Sequence, residues 1–434
     1  ITAAWAAFGN GNPKLAQQLI AGAEGADWVR LVSAYHSGLI SAASGDDKAA
    51  IIALEQAASD RASVQVLPET YLRSIEALVR AYSRSGDFEK ADEALQKGVE
   101  LVPKHPPFLA ARKQIDERKP MPPLVASAPT GAAEILFNIG SAISRQGGGA
   151  YAQGYMQVAD HLAPGSDVVT LALGQIFEAQ KRYERANTYY SRISRESPYW
   201  RRAELEHALN LNDLKRVDEA RAKLDALIAD DPDDLLAYIT LGGVYSQHEQ
   251  YSEAAEVYDR AVKRLADPGP NDWNLFYRRG IAYERMKQWD KAEPNFKKSL
   301  ELSPDQADVL NYLGYSWIDQ GIHLEEGLDL IRKAVELSPR KGYIIDSLGW
   351  AYYRLGRFED AVEELERAVE LLPSDPILND HLGDAYWKVG RRLEATFQWN
   401  HALANKPEPE DEKRIREKLR VGLVDTAKPT ASSQ

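Results

Sequence analysis

The sequence contains no cysteine, and no apolar run in it is long enough to cross a bilayer. Without cysteine there is no disulfide, no zinc–thiolate centre and no thiol nucleophile. With no stretch of about 18 apolar residues, no segment reads as a membrane-spanning helix. Positive charge is short as well: 53 Lys and Arg stand against 65 Asp and Glu, a formal net charge of −12. Nucleic acid and anionic membrane both call for a concentrated basic footprint, so both are disfavoured as partners. Catalytic signatures are missing too. No two of the eight His stand at i, i+4, and HExxH, GxSxG and the Gly-Lys of a phosphate loop do not occur. The run Gly147 to Gly149 reads as a turn between helices rather than an anion cradle. No cofactor or metal is expected, and an enzyme is not.

What the chain does have is a repeated pattern. The stretch Gly342 to Asp375, GYIIDSLGWAYYRLGRFEDAVEELERAVELLPSD, places Leu348, Gly349 and Tyr352 on one face of a first helix. Ala361, Leu365 and Ala368 fall on one face of a second, and Pro373 stops it. This is a helix-turn-helix of the tetratricopeptide (TPR) type. Gly349 and Ala361 are small because the two backbones approach closely there. The expected fold is therefore all-α, a TPR α-solenoid, and such arrays grow by stacking, so 434 residues need not share one core.

From Ala133 the frame is regular, with unit starts at 133, 167, 201, 235, 273, 307, 342 and 376. Position eight reads Gly140, Gly174, Ala208, Gly242, Gly280, Gly314, Gly349 and Gly383. Position twenty is Ala in seven units and Gly327 in the other, and position thirty-two is Pro in all but one. The expected organisation is a divergent helical array over 1–117, a Pro/Ala-rich linker over 118–132 carrying the main boundary, and eight repeats over 133–408. A capping helix over 409–423 and a disordered tail over 424–434 follow. The start at Ile1 without Met leads us to expect upstream residues, including a targeting segment.

A solenoid of this type presents a concave surface lined by positions two, five, nine, twelve and thirteen of each first helix. In the last three units the candidate partner-binding residues there are Asn311, Tyr315, Tyr343, Asp346, Trp350, Tyr353, Arg354, Asp380, Asp384 and Trp387. Aromatic rings beside carboxylates suit an extended or helical peptide. The alternative is that Trp350 and Trp387 are packing residues between neighbouring first helices while the acids are solvated surface. Asp380 and Asp384 share a helical face, and a basic partner would relieve their mutual repulsion. The Lys and Asn clamp that other TPR proteins use on acidic chaperone tails is not matched, since its positions carry Tyr343, Asp346, Ser347 and Trp350.

The motifs LNYLGY (310 to 315), YIIDSLGWAYYRLGR (343 to 357) and DHLGDAYWKVGRR (380 to 392) resemble the C-terminal repeats of bacterial cell-envelope TPR proteins. Among that family are outer-membrane lipoproteins that act as adaptors for periplasmic carboxy-terminal processing proteases. The resemblance implies a non-enzymatic adaptor that binds and activates such a protease and recruits protein substrates such as peptidoglycan hydrolases. It implies a periplasmic location, with a lipid anchor on the missing N-terminus. An envelope-assembly scaffold without a protease, or the TPR region of a truncated enzyme, are the alternatives.

Overall fold

The computed structural model describes residues 1–26 and 28–423, and over these the chain is helical, with no strand. It divides into two compact units, Ile1–Val244 and the part from Tyr245 onward. The first unit holds α1 (Thr2–Gly9), α2 (Pro13–Ala21), α3 (Trp28–Ala43), α4 (Asp47–Ser59), α5 (Pro68–Ser85), α6 (Phe88–Leu101) and α7 (Pro106–Asp116). It continues with α8 (Ala128–Arg145), α9 (Gly149–Leu162), α10 (Asp167–Ala179), α11 (Tyr183–Tyr190), α12 (Trp200–Asp213) and α13 (Val217–Asp230). Helix α14 (Leu235–Gln247) runs across the division. The second unit holds α15 (Tyr251–Arg264), α16 (Trp273–Arg285), α17 (Trp289–Leu302), α18 (Ala307–Gln320), α19 (Leu324–Leu337) and α20 (Gly342–Arg354). It ends with α21 (Phe358–Leu371), α22 (Pro376–Lys388), α23 (Arg392–Ala404) and α24 (Pro409–Val421). Residues 424–434, where a tail is expected, lie outside the described residues.

Local chemistry sets the helix ends. Asp46, Asp87 and Asp375 accept from backbone N–H groups at the starts of α4, α6 and α22, and Pro13, Pro68, Pro106, Pro376 and Pro409 each open a helix where no N–H partner is needed. The turn inside each hairpin needs one residue in the left-handed region. In the eight regular units this is always position fifteen: Gly147, Lys181, Lys215, Glu249, Lys287, Gly321, Gly356 and Gly390. Gly11, Gly45 and Gly86 do the same between α1 and α2, α3 and α4, and α5 and α6. Four units thus hold a Lys or Glu where an L side chain is strained.

The small residue at position eight makes room for a specific knob. A Cβ on Gly349 would stand 2.5 Å from Cγ of Leu365, and one on Gly383 would stand 2.5 Å from the Trp399 ring. Tyr190 and Phe296 fill the same hole over Gly174 and Gly280. The filling residue is position twenty-four of the second helix, while Ala361 and Ala395 at position twenty are fully buried beside it.

Residues 118–132 depart from the linker expectation. Met121 and Val125 are buried in the core of the N-terminal helices. The Met121 N–H donates to Ser83 Oγ at 3.0 Å, and Arg80 donates to the Pro122 carbonyl. The prolines keep the segment out of a helix, but the apolar side chains among them join the core of the N-terminal helices. The last six residues of the range belong to α8 or its cap: Ser127 caps α8 through Thr130. The first turns of α8 then dock on the preceding helices. Gly131 lies against the Trp5 ring, and Glu134 takes two bonds from Arg73 at 2.5 and 2.7 Å and one from Tyr35 at 2.8 Å. All three of these polar residues are buried. The contact division accordingly falls at Val244 rather than in 118–132.

Candidate functional site

In the second unit the first helices α16, α18, α20 and α22 carry the predicted lining positions. Several of their polar residues pair with a residue at or near the next first helix. Asp308 accepts from Lys341 at 2.9 Å and from the Tyr343 hydroxyl. Asp319 accepts from Arg354 at 3.0 Å. Nδ1 of His381 donates to both oxygens of Asp346, at 3.0 and 3.1 Å. The carboxylate of Asp380 accepts from Arg414 at 2.9 Å and from Lys418 at 2.7 and 2.8 Å. Asp384 accepts from Lys418 at 2.7 Å and from the Trp399 indole at 2.9 Å.

This ladder corrects the reading of the acids as open groove charges. Asp346, Asp380 and Asp384 are 6%, 1% and 5% exposed. The repulsion between Asp380 and Asp384 is indeed relieved by basic groups, but the chain supplies them itself. Arg414 and Lys418 on α24 sit four apart, as do the two aspartates, so α24 takes the place of a ninth first helix. The polarity that sequence assigns to a solvating cap is therefore, on this face, a buried ionic seam. Burial raises the Asp384 carboxyl above its ordinary range even with Lys418 opposing.

The aromatic candidates divide. Trp350 stacks on Tyr353 at 4.8 Å and on His381 at 4.1 Å, and so braces α20 against α22. Trp387 lies 5.3 Å from Trp399, under the Arg392 guanidinium at 3.7 Å, with Gly422 packed on its ring. Trp350 thus packs between neighbouring first helices, whereas Trp387 packs chiefly on the second helix of its own hairpin. Tyr315 and Tyr343 instead face a cleft of about 610 Å³, together with Asn311 and Asp346. Burial pushes the Tyr315 hydroxyl up to about 12.

That cleft also takes in Trp289, Tyr312, Ile377 and His381, which are absent from the sequence-derived set. Tyr312 stands at position six, outside the lining positions, and Trp289 opens a second helix, so no lining rule reaches either. Two polar atoms on the cleft residues are buried without a hydrogen-bond partner: Oδ1 of Asn311 and Nε1 of Trp289. Asn311 as a whole is 9% exposed, whereas Tyr343 and Ile377 at the rim are each 44% exposed. The first unit has its own cavity of about 920 Å³, walled by Leu72, Phe137, Met156, Leu171 and Ile176 with Arg145 and Arg202 at its edge. Among the described residues no group of three or more His, Asp or Glu is placed to hold a metal ion, and no helix is long and apolar enough to cross a membrane.

Comparison with known families agrees with this architecture. The tetratricopeptide repeat pattern matches residues 72–105, 205–272 and 273–306, and the TPR repeat pattern matches 349–390. The chain is a tetratricopeptide-repeat protein. A TPR repeat-containing protein of Pseudomonas aeruginosa is 31% identical to this TPR-repeat protein over 196 residues, 45% of this chain and 32% of the relative. The BBSome complex member BBS4 of Bos taurus is 30% identical over 114 residues, 26% of this chain and 21% of the relative. The matches thus span a third or less of those relatives. Among solved structures, the Cut9–Hcn1 assembly of the APC/C aligns with 97% of this chain and 89% of its own at 14% identity, with a TM-score of 0.44. YrrB, described as a TPR protein with an unusual peptide-binding site, aligns with 51% of this chain and 94% of its own at 20% identity and a TM-score of 0.30.

Proposed function

We propose that this TPR-repeat protein is a non-enzymatic adaptor of the bacterial cell envelope, one that holds a periplasmic carboxy-terminal processing protease together with that protease's protein substrates. The observation that carries the scaffold part of this reading is the aromatic-walled cleft between α16, α18, α20 and α22, set in an array whose ionisable groups pair with one another rather than converge on a reacting centre. The finer part rests on the motifs at 310 to 315, 343 to 357 and 380 to 392 and their resemblance to envelope adaptors. A partially bacterial relationship is consistent with it, through the Pseudomonas aeruginosa relative.

The test is co-purification from envelope extracts after mild crosslinking. A carboxy-terminal processing protease that is retained, and whose cleavage of a peptidoglycan hydrolase speeds up when this chain is added, is the expected outcome. Capture of other proteins with no such protease among them leaves the scaffold and removes the adaptor.

A further inference from the structure

The second helix of a hairpin turns one side to solvent, and in this chain that side is usually charged. Helix α21 carries seven Asp, Glu and Arg among its fourteen residues. Helix α9 is different. No charged residue occurs from Gln146 to Ala159, and the one carboxylate on the helix, Asp160, is held by Arg192 at 2.6 and 3.0 Å. Its outer side instead carries Tyr151, Tyr155 and Val158, which are 78%, 39% and 52% exposed and lie in one stripe at helical spacing.

Gly154 sits in the middle of that stripe. Elsewhere in the fold a glycine inside a helix marks a close approach: a Cβ on any of Gly140, Gly174, Gly280, Gly314, Gly349 or Gly383 would come within 3.0 Å of a neighbour. Helices α18 and α19 even cross glycine on glycine, since a Cβ on Gly314 would stand 2.6 Å from the Gly327 carbonyl oxygen. At Gly154 a Cβ would meet nothing within 4 Å. Glycine in mid-helix weakens the helix relative to alanine, and no contact within the chain accounts for it here.

A contiguous exposed apolar face marks an interaction surface, and charge narrows what covers this one. At a net charge of −12, two copies of the chain repel over most of their surfaces. An uncharged face lets them meet with no like charges in contact. A basic partner finds no acid along the stripe, and an anionic membrane finds no Lys or Arg on the helix. The stripe is also self-complementary under a two-fold rotation. In an antiparallel pair crossing at Gly154, Tyr151 of one copy lies over Val158 of the other, and the same contact recurs across the axis.

We propose that α9 is the contact of a two-fold symmetric dimer of this chain, with the two helices crossing antiparallel at Gly154. One helix per copy is small beside the roughly 1,200–2,000 Å² of a stable interface, so association is weak and depends on concentration.

The test is sedimentation velocity of the full chain from about 1 to 300 μM, where the mass should rise from 48.4 kDa toward twice that value. Tyr151→Glu and Val158→Lys each bury a charge against an apolar side chain and should raise the dissociation constant about ten-fold or more. Both in one chain should recover most of that loss, because each charge then meets its opposite in the other copy. Within one copy they lie two turns apart. The chain has no cysteine, so Gly154→Cys supplies a single thiol. Mild oxidation should join it into a covalent dimer much faster than Leu393→Cys, an exposed apolar position on α23. Circular dichroism checks that the variants stay folded, and the charge-pair arm stands alone if Gly154→Cys does not. A chain that stays monomeric over this range overturns the proposal, as does a dimer indifferent to both single charges or a double variant no better than either. Equal crosslinking at Leu393→Cys overturns it too. So does a monomer that uses Tyr151 to bind neutral lipid vesicles, or a Gly154→Cys thiol that links to another envelope protein and never to its own copy.

Discussion

Replacing Lys418 by Met tests whether α24 is a structural seam rather than a loose solvating cap. Lys418 is 8% exposed, and its ammonium lies within 2.8 Å of three carboxylate oxygens, on Asp380 and Asp384, which are 1% and 5% exposed. Methionine fills much the same volume, so the loss is electrostatic. Removing one partner of a buried ion pair costs about 3–5 kcal/mol, because the stranded charge stays out of water. Here Asp380 keeps Arg414 and Asp384 keeps the Trp399 indole, which places the expected loss near the lower end, about 3 kcal/mol. Hydrogen exchange read by mass spectrometry is the suitable assay, since an array of this length need not unfold in one step. Amides of α22 to α24 should exchange roughly 150-fold faster in the variant, with those of α15 to α17 little changed. The deficit should shrink as pH falls. Asp384 already has a raised carboxyl pKa, and without the ammonium the folded state binds a proton there more tightly still, so stability drops as pH rises through that range. Lys413→Met on the same helix removes only an exposed contact with Glu410 and should change little. An acceleration below about five-fold in Lys418→Met, or one equal to that of Lys413→Met, would refute the buried seam.

Other consequences follow from single contacts. Burial works against a charge on His381, but the carboxylates of Asp346, Asp380 and Asp384 together outweigh it and raise the imidazole pKa. Its contribution is therefore complete below about pH 6.5 and is lost as pH rises through the raised value, and the urea midpoint of His381→Gln should lack that slope. Gly349→Ala drives a Cβ to within 2.5 Å of the Leu365 side chain and 3.2 Å of its backbone nitrogen. It should cost about 1–3 kcal/mol by urea unfolding, with less than additive loss when combined with Leu365→Ala. Lys215 sits at φ +63°, where glycine is unstrained. Lys215→Gly should raise the melting temperature, by about 0.5–1 kcal/mol of net stability after the entropy glycine gains on unfolding. In the first unit Glu134→Leu strands Arg73 beside Glu76 and should destabilise by about 3 kcal/mol or more, seen as faster exchange in α3, α5 and α8.

How much of this was legible in advance differs between the frame and the surface. The repeat register could be read because its small residues obey a steric rule that acts within one hairpin: Gly349 is small because Leu365 lies over it, sixteen residues away. Position fifteen was equally local, yet only its glycines are visible as such, since Lys181, Lys215, Glu249 and Lys287 adopt the same backbone without advertising it. The candidate site was half legible. Asn311, Tyr315 and Tyr343 do reach the cleft, because lining positions follow from helical periodicity. Trp350 and Trp387 share that periodicity but spend their rings on His381, Trp399 and Arg392, partners that lie in other helices.

The order of residues by itself determined that this chain forms helical hairpins, where each begins and turns, and which side chains point toward neighbouring first helices, since all of these depend on contacts a few residues to one hairpin apart. Only the tertiary structure decided which of those side chains remain open. Lys418 reaches Asp384 across 34 residues and Glu134 reaches Arg73 across 61, and whether a carboxylate is a free charge or a buried half of a pair depends on such distant partners. The same holds for residues 118–132, whose composition permits a free linker until the N-terminal core takes in Met121 and Val125.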